Sequence, residues 1–183
     1  MSLKMANFIL FQLGWLACVL GGAHGRPWLG IVVSLAILSW HFWRAQSAWL
    51  EARLLLVVAL SGGMLDQLML SLKLLGYPAA NWPGQLLPAW MWMLWMLFAT
   101  TLNVNLRWLR KRPLLGAMLG FAGGPLAYLG ASRLGAIQLL QGPISLMAIG
   151  LVWAVAMPGM MWLSVRLDGY TRLNILREDF SHV

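Results

Sequence analysis

The chain has 183 residues, 61% of them hydrophobic and 10% charged, with a net charge of +8. A soluble domain carries roughly a quarter charged residues and under about half apolar ones, so a single aqueous core cannot hide this composition and the solvent is largely lipid. The cations sit in short connectors between apolar runs, which excludes a nucleic-acid-binding face; one cysteine, Cys18, excludes an internal disulfide, and three scattered histidines give no metal-ligand spacing, so neither a metal nor a cofactor is expected.

Six apolar runs follow one another, at 5–21, 27–43, 54–72, 86–106, 114–132 and 144–165. Each approaches the ~20 residues that cross ~30 Å of hydrocarbon. The expected fold is all-α: a bundle of six transmembrane helices over residues 1–166, and a short polar tail over 167–183. An inside N-terminus puts ten of the 13 Lys and Arg residues on the inner side, so both termini are expected in the cytoplasm.

Lys4 ahead of the first run resembles a signal peptide, but Gln12 and Trp15 inside the apolar stretch favour a retained helix. WLAC (15–18) is a poor lipoprotein box, with Trp15 at its first position and five runs still to come. RPWLG (26–30) opens the second run and RPLLG (112–116) the fifth; the echo spans five residues and reads as chance. The third run holds SGGMLDQLML (61–70), with Asp66 beside a glycine pair. An ionised carboxylate near mid-membrane costs at least about 2.5–3.5 kcal/mol, so Asp66 must face the bundle interior and find partners. Ala59, Gly62, Gly63 and Asp66 share one helical stripe, and depth suggests Tyr128 and Arg133 as partners. The bland reading is a hydrogen-bond acceptor fastening two spans; the functional reading is placed slightly ahead of it.

Asn7, Gln12, Thr100, Thr101, Asn103 and Asn105 are read mainly as amide and hydroxyl links between helices. The fifth run spaces Gly116, Gly120 and Gly124 four apart, a face on which helix backbones can touch. Gly124-Pro125 and Pro158-Gly159 are expected to interrupt the last two helices. Trp28, Trp43, Trp82, Trp90, Trp108 and Trp162 fall at predicted membrane edges, whereas Trp15, Trp92, Trp95 and Trp153 lie deeper. In the tail, Tyr170, Leu173, Leu176 and Phe180 recur at helical spacing, giving either an interfacial helix or a frayed end.

NFILFQLGW (7–15), GGMLDQL (62–68), PAWMWMLWMLFATTLN (88–103) and GPLAYLGASRLGA (124–136) resemble an uncharacterised family of small bacterial inner-membrane proteins, the domain of unknown function 2878 type. The resemblance covers nearly the whole chain, includes Asp66, and implies a bacterial inner-membrane location and a link to enzymes that modify fatty acids. It carries no established activity.

Three functions are therefore expected, in this order: an enzyme or accessory subunit handling lipid-derived molecules, a small-solute or proton-coupled transporter, and an assembly protein without a site. In the first, Asp66 is the acid/base or polar anchor and Tyr128 and Arg133 orient it. Gly62, Gly63, Gln67, Trp90, Trp95 and Asn103 are the expected substrate contacts. Expected partners are membrane lipids, with lipid-modifying enzymes or a second copy of the chain as further candidates.

Overall fold

The computed structural model describes residues 2–78 and 85–170. Among these the chain forms six α-helices: α1 (Leu3–Ala23), α2 (Pro27–Arg44), α3 (Ala48–Ser71), α4 (Ala89–Leu102), α5 (Pro113–Arg133) and α6 (Pro143–Arg166). Ser2 and Ser47 cap α1 and α3 through their hydroxyls. The RPWLG and RPLLG echo has a local cause. In both, arginine is the N-cap and proline the first helical residue, where a missing N–H costs nothing.

Four helices, α1, α3, α5 and α6, are long and apolar enough to cross a bilayer. Their outer faces carry Phe8, Met64, Leu114 and Val155, all more than half exposed, an arrangement suited to lipid and not to water. The fold is that of an all-helical membrane protein. The fourth run departs from expectation: α4 has 14 residues, not the 21 of 86–106, and covers about 21 Å. Pro88 fixes its start, since the residue before a proline avoids helical geometry. Its end tightens where Asn105 and Leu106 both donate backbone N–H groups to Thr101 O, at 2.8 and 2.9 Å. No residue of α4 is exposed.

α4 is the axis around which α1, α2 and α3 pack, and α5 and α6 form a tightly apposed pair beside them. α1 and α2 meet at Gly30, where a Cβ would lie 2.6 Å from Cys18 Cα. In the α5–α6 pair the glycine stripe works at two of its three positions. Gly120 and Gly124 receive Trp153, and Gly116 faces open space. The expected interruptions do not occur, because α5 and α6 run continuously through Pro125 and Pro158. Pro125 lacks the N–H that would bond Phe121 O. That carbonyl instead faces Gly150, whose missing side chain lets α6 approach.

The connectors add a feature the periodicity does not signal, a two-residue antiparallel ribbon pairing β1 (Leu75–Gly76) with β2 (Gln138–Leu139). Ser145 Oγ donates to Leu74 O at 2.7 Å and ties the start of α6 to it. The opposite end of the bundle, the arginine end, gathers the α2–α3 and α4–α5 connectors and the segment after α6. There Arg44, Arg53, Arg112 and Arg166 lie over the exposed rings of Trp43, Trp49, Trp108 and Trp162, 3.5 to 6.0 Å from the ring centroids. Trp28 is also exposed, but Trp90, expected at an edge, is 2% exposed, packed on Gly22 and edge-on to Tyr77. Trp82 and the tail residues Leu173, Leu176 and Phe180 lie outside the described residues.

Candidate functional site

Asp66 is 3% exposed on the buried face of α3. Trp95 Nε1 donates to its Oδ2 at 2.7 Å, and the Tyr128 hydroxyl donates to its Oδ1. One carboxylate thus joins α3, α4 and α5. The glycine pair beside it is occupied by protein. A Cβ at Gly62 would run into the Trp95 indole and one at Gly63 into Trp92. The small residues therefore let the two rings of α4 reach α3, and Gly62 sets the position of the indole that holds Asp66.

Trp95 and Tyr128 also face away from Asp66, into a cavity of about 370 Å³ between α1, α4, α5 and α6. That falls within the range of ligand pockets, about 300–1,000 Å³. Its walls include Phe11 and Trp15 from α1, Gly123 and Ala131 from α5, and Trp153, which stacks on Trp95 at 4.8 Å and 15°. Along α5 the lining runs from Leu119 to Ala131, about 18 Å at 1.5 Å per residue. No charged side chain lines it among the described residues. The exposed Leu119, Gly123 and Ala127 form its rim on α5, and Trp15 reaches across to Gly130. Asp66 itself stands behind this wall, one hydrogen bond removed from the cavity.

The other expected site residues divide. Gln67 holds the approach to α4, accepting from Leu87 N at 2.8 Å and donating to Gln85 O at 2.9 Å. Arg133 is exposed at the end of α5 and is not among the groups bonded to Asp66. Beside the site, Tyr77 has a buried hydroxyl with no hydrogen-bond partner. Burial, and then the Asp66 carboxylate, push its phenol well above the ordinary range, so it stays protonated.

Asn103 lies at the arginine end, in a second polar cluster. Glu51, fully buried, accepts from His41 Nε2 at 2.9 Å, Asn103 Nδ2 at 2.6 Å and Gly169 N at 2.7 Å. Asp168 is held by Arg107 and by Arg110, the latter at 2.9 Å. One carboxylate, Asp168, thus meets two guanidiniums, while the buried Glu51 is satisfied by an imidazole, an amide and a backbone N–H. Burial is the main cause of a lowered Arg107 pKa, opposed by Asp168. Tyr170, 1% exposed, donates to His41 O at 2.6 Å; burial, then Glu51, raise its phenol pKa. The tail taken to start at 167 therefore opens with four residues fixed inside the bundle end.

Glu51 escapes sequence reasoning because it stands beside a connector and reads as a surface charge. The signal is the stripe itself. Continued back from Asp66 through Gly62, Val58 and Leu55, it reaches Glu51, about 22 Å away along the same buried face.

No curated protein and no solved structure matches the chain. Residues 4–159 match the family model described as Protein of unknown function (DUF2878), and the chain belongs to that family.

Proposed function

We propose that this protein is a membrane-embedded enzyme or accessory subunit that holds the hydrocarbon chain of a lipid-derived molecule in the cavity between α1 and the α5–α6 pair. The observation that carries this reading is the shape and chemistry of that cavity. It is elongated along α5, apolar throughout, and walled by the two side chains that hold Asp66. Its length of about 18 Å is close to the ~15 Å of one leaflet of a ~30 Å hydrocarbon core. The rim at Leu119, Gly123 and Ala127 lies on the side of the bundle, where a chain enters from lipid without crossing water. Asp66 acts as a positioning residue for Tyr128, the group that meets the occupant.

The same reading places six helices in the bacterial inner membrane with both termini in the cytoplasm. The indole–guanidinium pairs of the arginine end support it, because indoles settle at the headgroup level and cytoplasmic edges gather cations.

Gly123 supplies the test. It lines the cavity, and a Cβ there meets no atom within 4 Å, so a Gly123→Leu side chain starts in open space at the rim, and an unchanged melting temperature checks that the fold is kept. Purified protein in detergent is photolabelled with a diazirine-bearing hydrocarbon chain and the adducts are mapped by mass spectrometry. Adducts at Phe11, Leu119 or Met157, lost in Gly123→Leu at an unchanged melting temperature, are expected. Equal labelling of both proteins, or adducts only on outward residues such as Leu114 and Val155, overturns the reading.

A further inference from the structure

The turn between α1 and α2, GGAHGR (21–26), is shaped by its glycines. Gly25 takes a φ of 66°, and Arg26 donates its backbone N–H to Gly21 O at 2.8 Å. A Cβ at Gly21 would lie 2.8 Å from Arg26 O, so this glycine lets the turn close down on α1. The fold-back leaves His24 and Arg26 at one end of a cleft of about 550 Å³ between the two helices, walled otherwise by Ala17, Leu20, Gly21, Leu29 and Val33. It shares no lining residue with the cavity beside the α5–α6 pair, so the two sites stand or fall separately.

Three observations define an occupant. The apolar wall extends about 10 Å, the rise from Arg26 to Val33 at 1.5 Å per residue, and Leu20 and Leu29 open it toward lipid. The exposed Trp28 puts its charged end at headgroup level. No carboxylate lines the cleft among the described residues. The Arg26 guanidinium has no ion pair, hydrogen bond or ring contact with them, unlike Arg107 and Arg110 on Asp168 or Arg112 on Trp108. Finally, His24 Nδ1 donates to Leu20 O at 2.8 Å, so the neutral ring offers Nε2 as an acceptor.

We propose that this cleft is a phospholipid site. The phosphate pairs with Arg26, an uncharged hydroxyl of the headgroup donates to His24 Nε2, and the start of one acyl chain lies against Leu20, Leu29 and Val33. Phosphatidylglycerol has all three parts. An ethanolamine head would bring its ammonium, a second cation, beside Arg26, and a choline head has no proton to donate.

Purified protein in detergent is titrated with phosphatidylglycerol, phosphatidylethanolamine and phosphatidylcholine of identical acyl chains, and bound lipid is counted by native mass spectrometry. Phosphatidylglycerol is expected to bind at about tenfold lower concentration than the other two, a difference of the size of one hydrogen bond. Arg26→Gln is expected to weaken all three lipids about tenfold, the size of one contact to a charged group. His24→Phe is expected to remove most of the phosphatidylglycerol advantage while leaving phosphatidylcholine unchanged. Both side chains are exposed, so the melting temperature without lipid should stay as it is. Lys73→Gln removes an exposed cation outside the cleft and should leave the ranking intact. Should a variant fail to fold, the ranking on the wild-type chain still decides. Equal binding of the three lipids overturns the proposal, as does a loss in Lys73→Gln as large as that in Arg26→Gln. Displacement of bound lipid by inorganic phosphate or glycerol phosphate also overturns it, since the cleft would then be a site for a free phosphate compound.

Discussion

A methyl group added at Gly62 points into the Trp95 ring, and the ring has little room to yield because it is stacked on Trp153 and bonded to Asp66. Gly62→Ala is therefore expected to cost about 1–3 kcal/mol, the usual cost of overpacking, read as a lowered melting temperature in detergent. Tyr77→Phe has the opposite expectation. Its hydroxyl is buried without a partner, so removing it should leave stability unchanged or raise it by up to about 1 kcal/mol in the same assay. Asp66 is legible in the sequence because a lone acid in an apolar run must find partners, and Tyr128 is legible by depth. Arg133 satisfies the same depth argument yet stays at the surface, since a guanidinium at a helix end reaches water more cheaply than it descends. What the glycine pair would receive is not legible. Whether a notch holds a ligand or a neighbour's indole depends on the rotation of α4, which no local pattern fixes.

At the scale of the element, α3 is a strut carrying a carboxylate near each end of one buried face. Asp66 joins it to α4 and α5, and Glu51 to α2, α4 and the segment after α6. Glu51→Gln keeps the shape, with its oxygen on Asn103 and Gly169 and its NH2 facing His41 Nε2, which must turn to its acceptor tautomer, but it removes the negative charge near Arg107. It is expected to cost about 2–3 kcal/mol, more than Asp66→Asn, whose bonded partners carry no charge. Thermal unfolding of the two variants side by side checks the ranking. Gly169 belongs to the same joint, where a Cβ would lie 2.5 Å from Ser47 O and 2.6 Å from Glu51 Cγ. The helices themselves were readable from run length, except for α4 and for the start of α3, which begins at Ala48 and not at the expected 54. Hydrophobicity continues past both of its ends, while Pro88 and the turn around Thr101 stop the backbone.

For the whole molecule, the proposed orientation predicts which faces water reaches on each side. In variants with one added cysteine, Lys111→Cys should react with an impermeant thiol reagent only in inverted inner-membrane vesicles, and Arg133→Cys only in intact spheroplasts. Labelling in the reverse sense would invert the topology. Cys18 is buried, so the native thiol adds little background. The orientation rests on the cation count alone; the separation into a group around α4 and an α5–α6 pair was not legible, because run lengths carry no information on which non-sequential helices pack together. The near-parallel indoles of Trp95 and Trp153 bridge those two groups. Two chromophores this close couple their electronic transitions, so the stack gives the protein an intrinsic optical signature. A circular-dichroism band that is absent in Trp153→Phe, and that changes when a chain fills the cavity, would report the distance between the two groups of helices in real time without any attached dye.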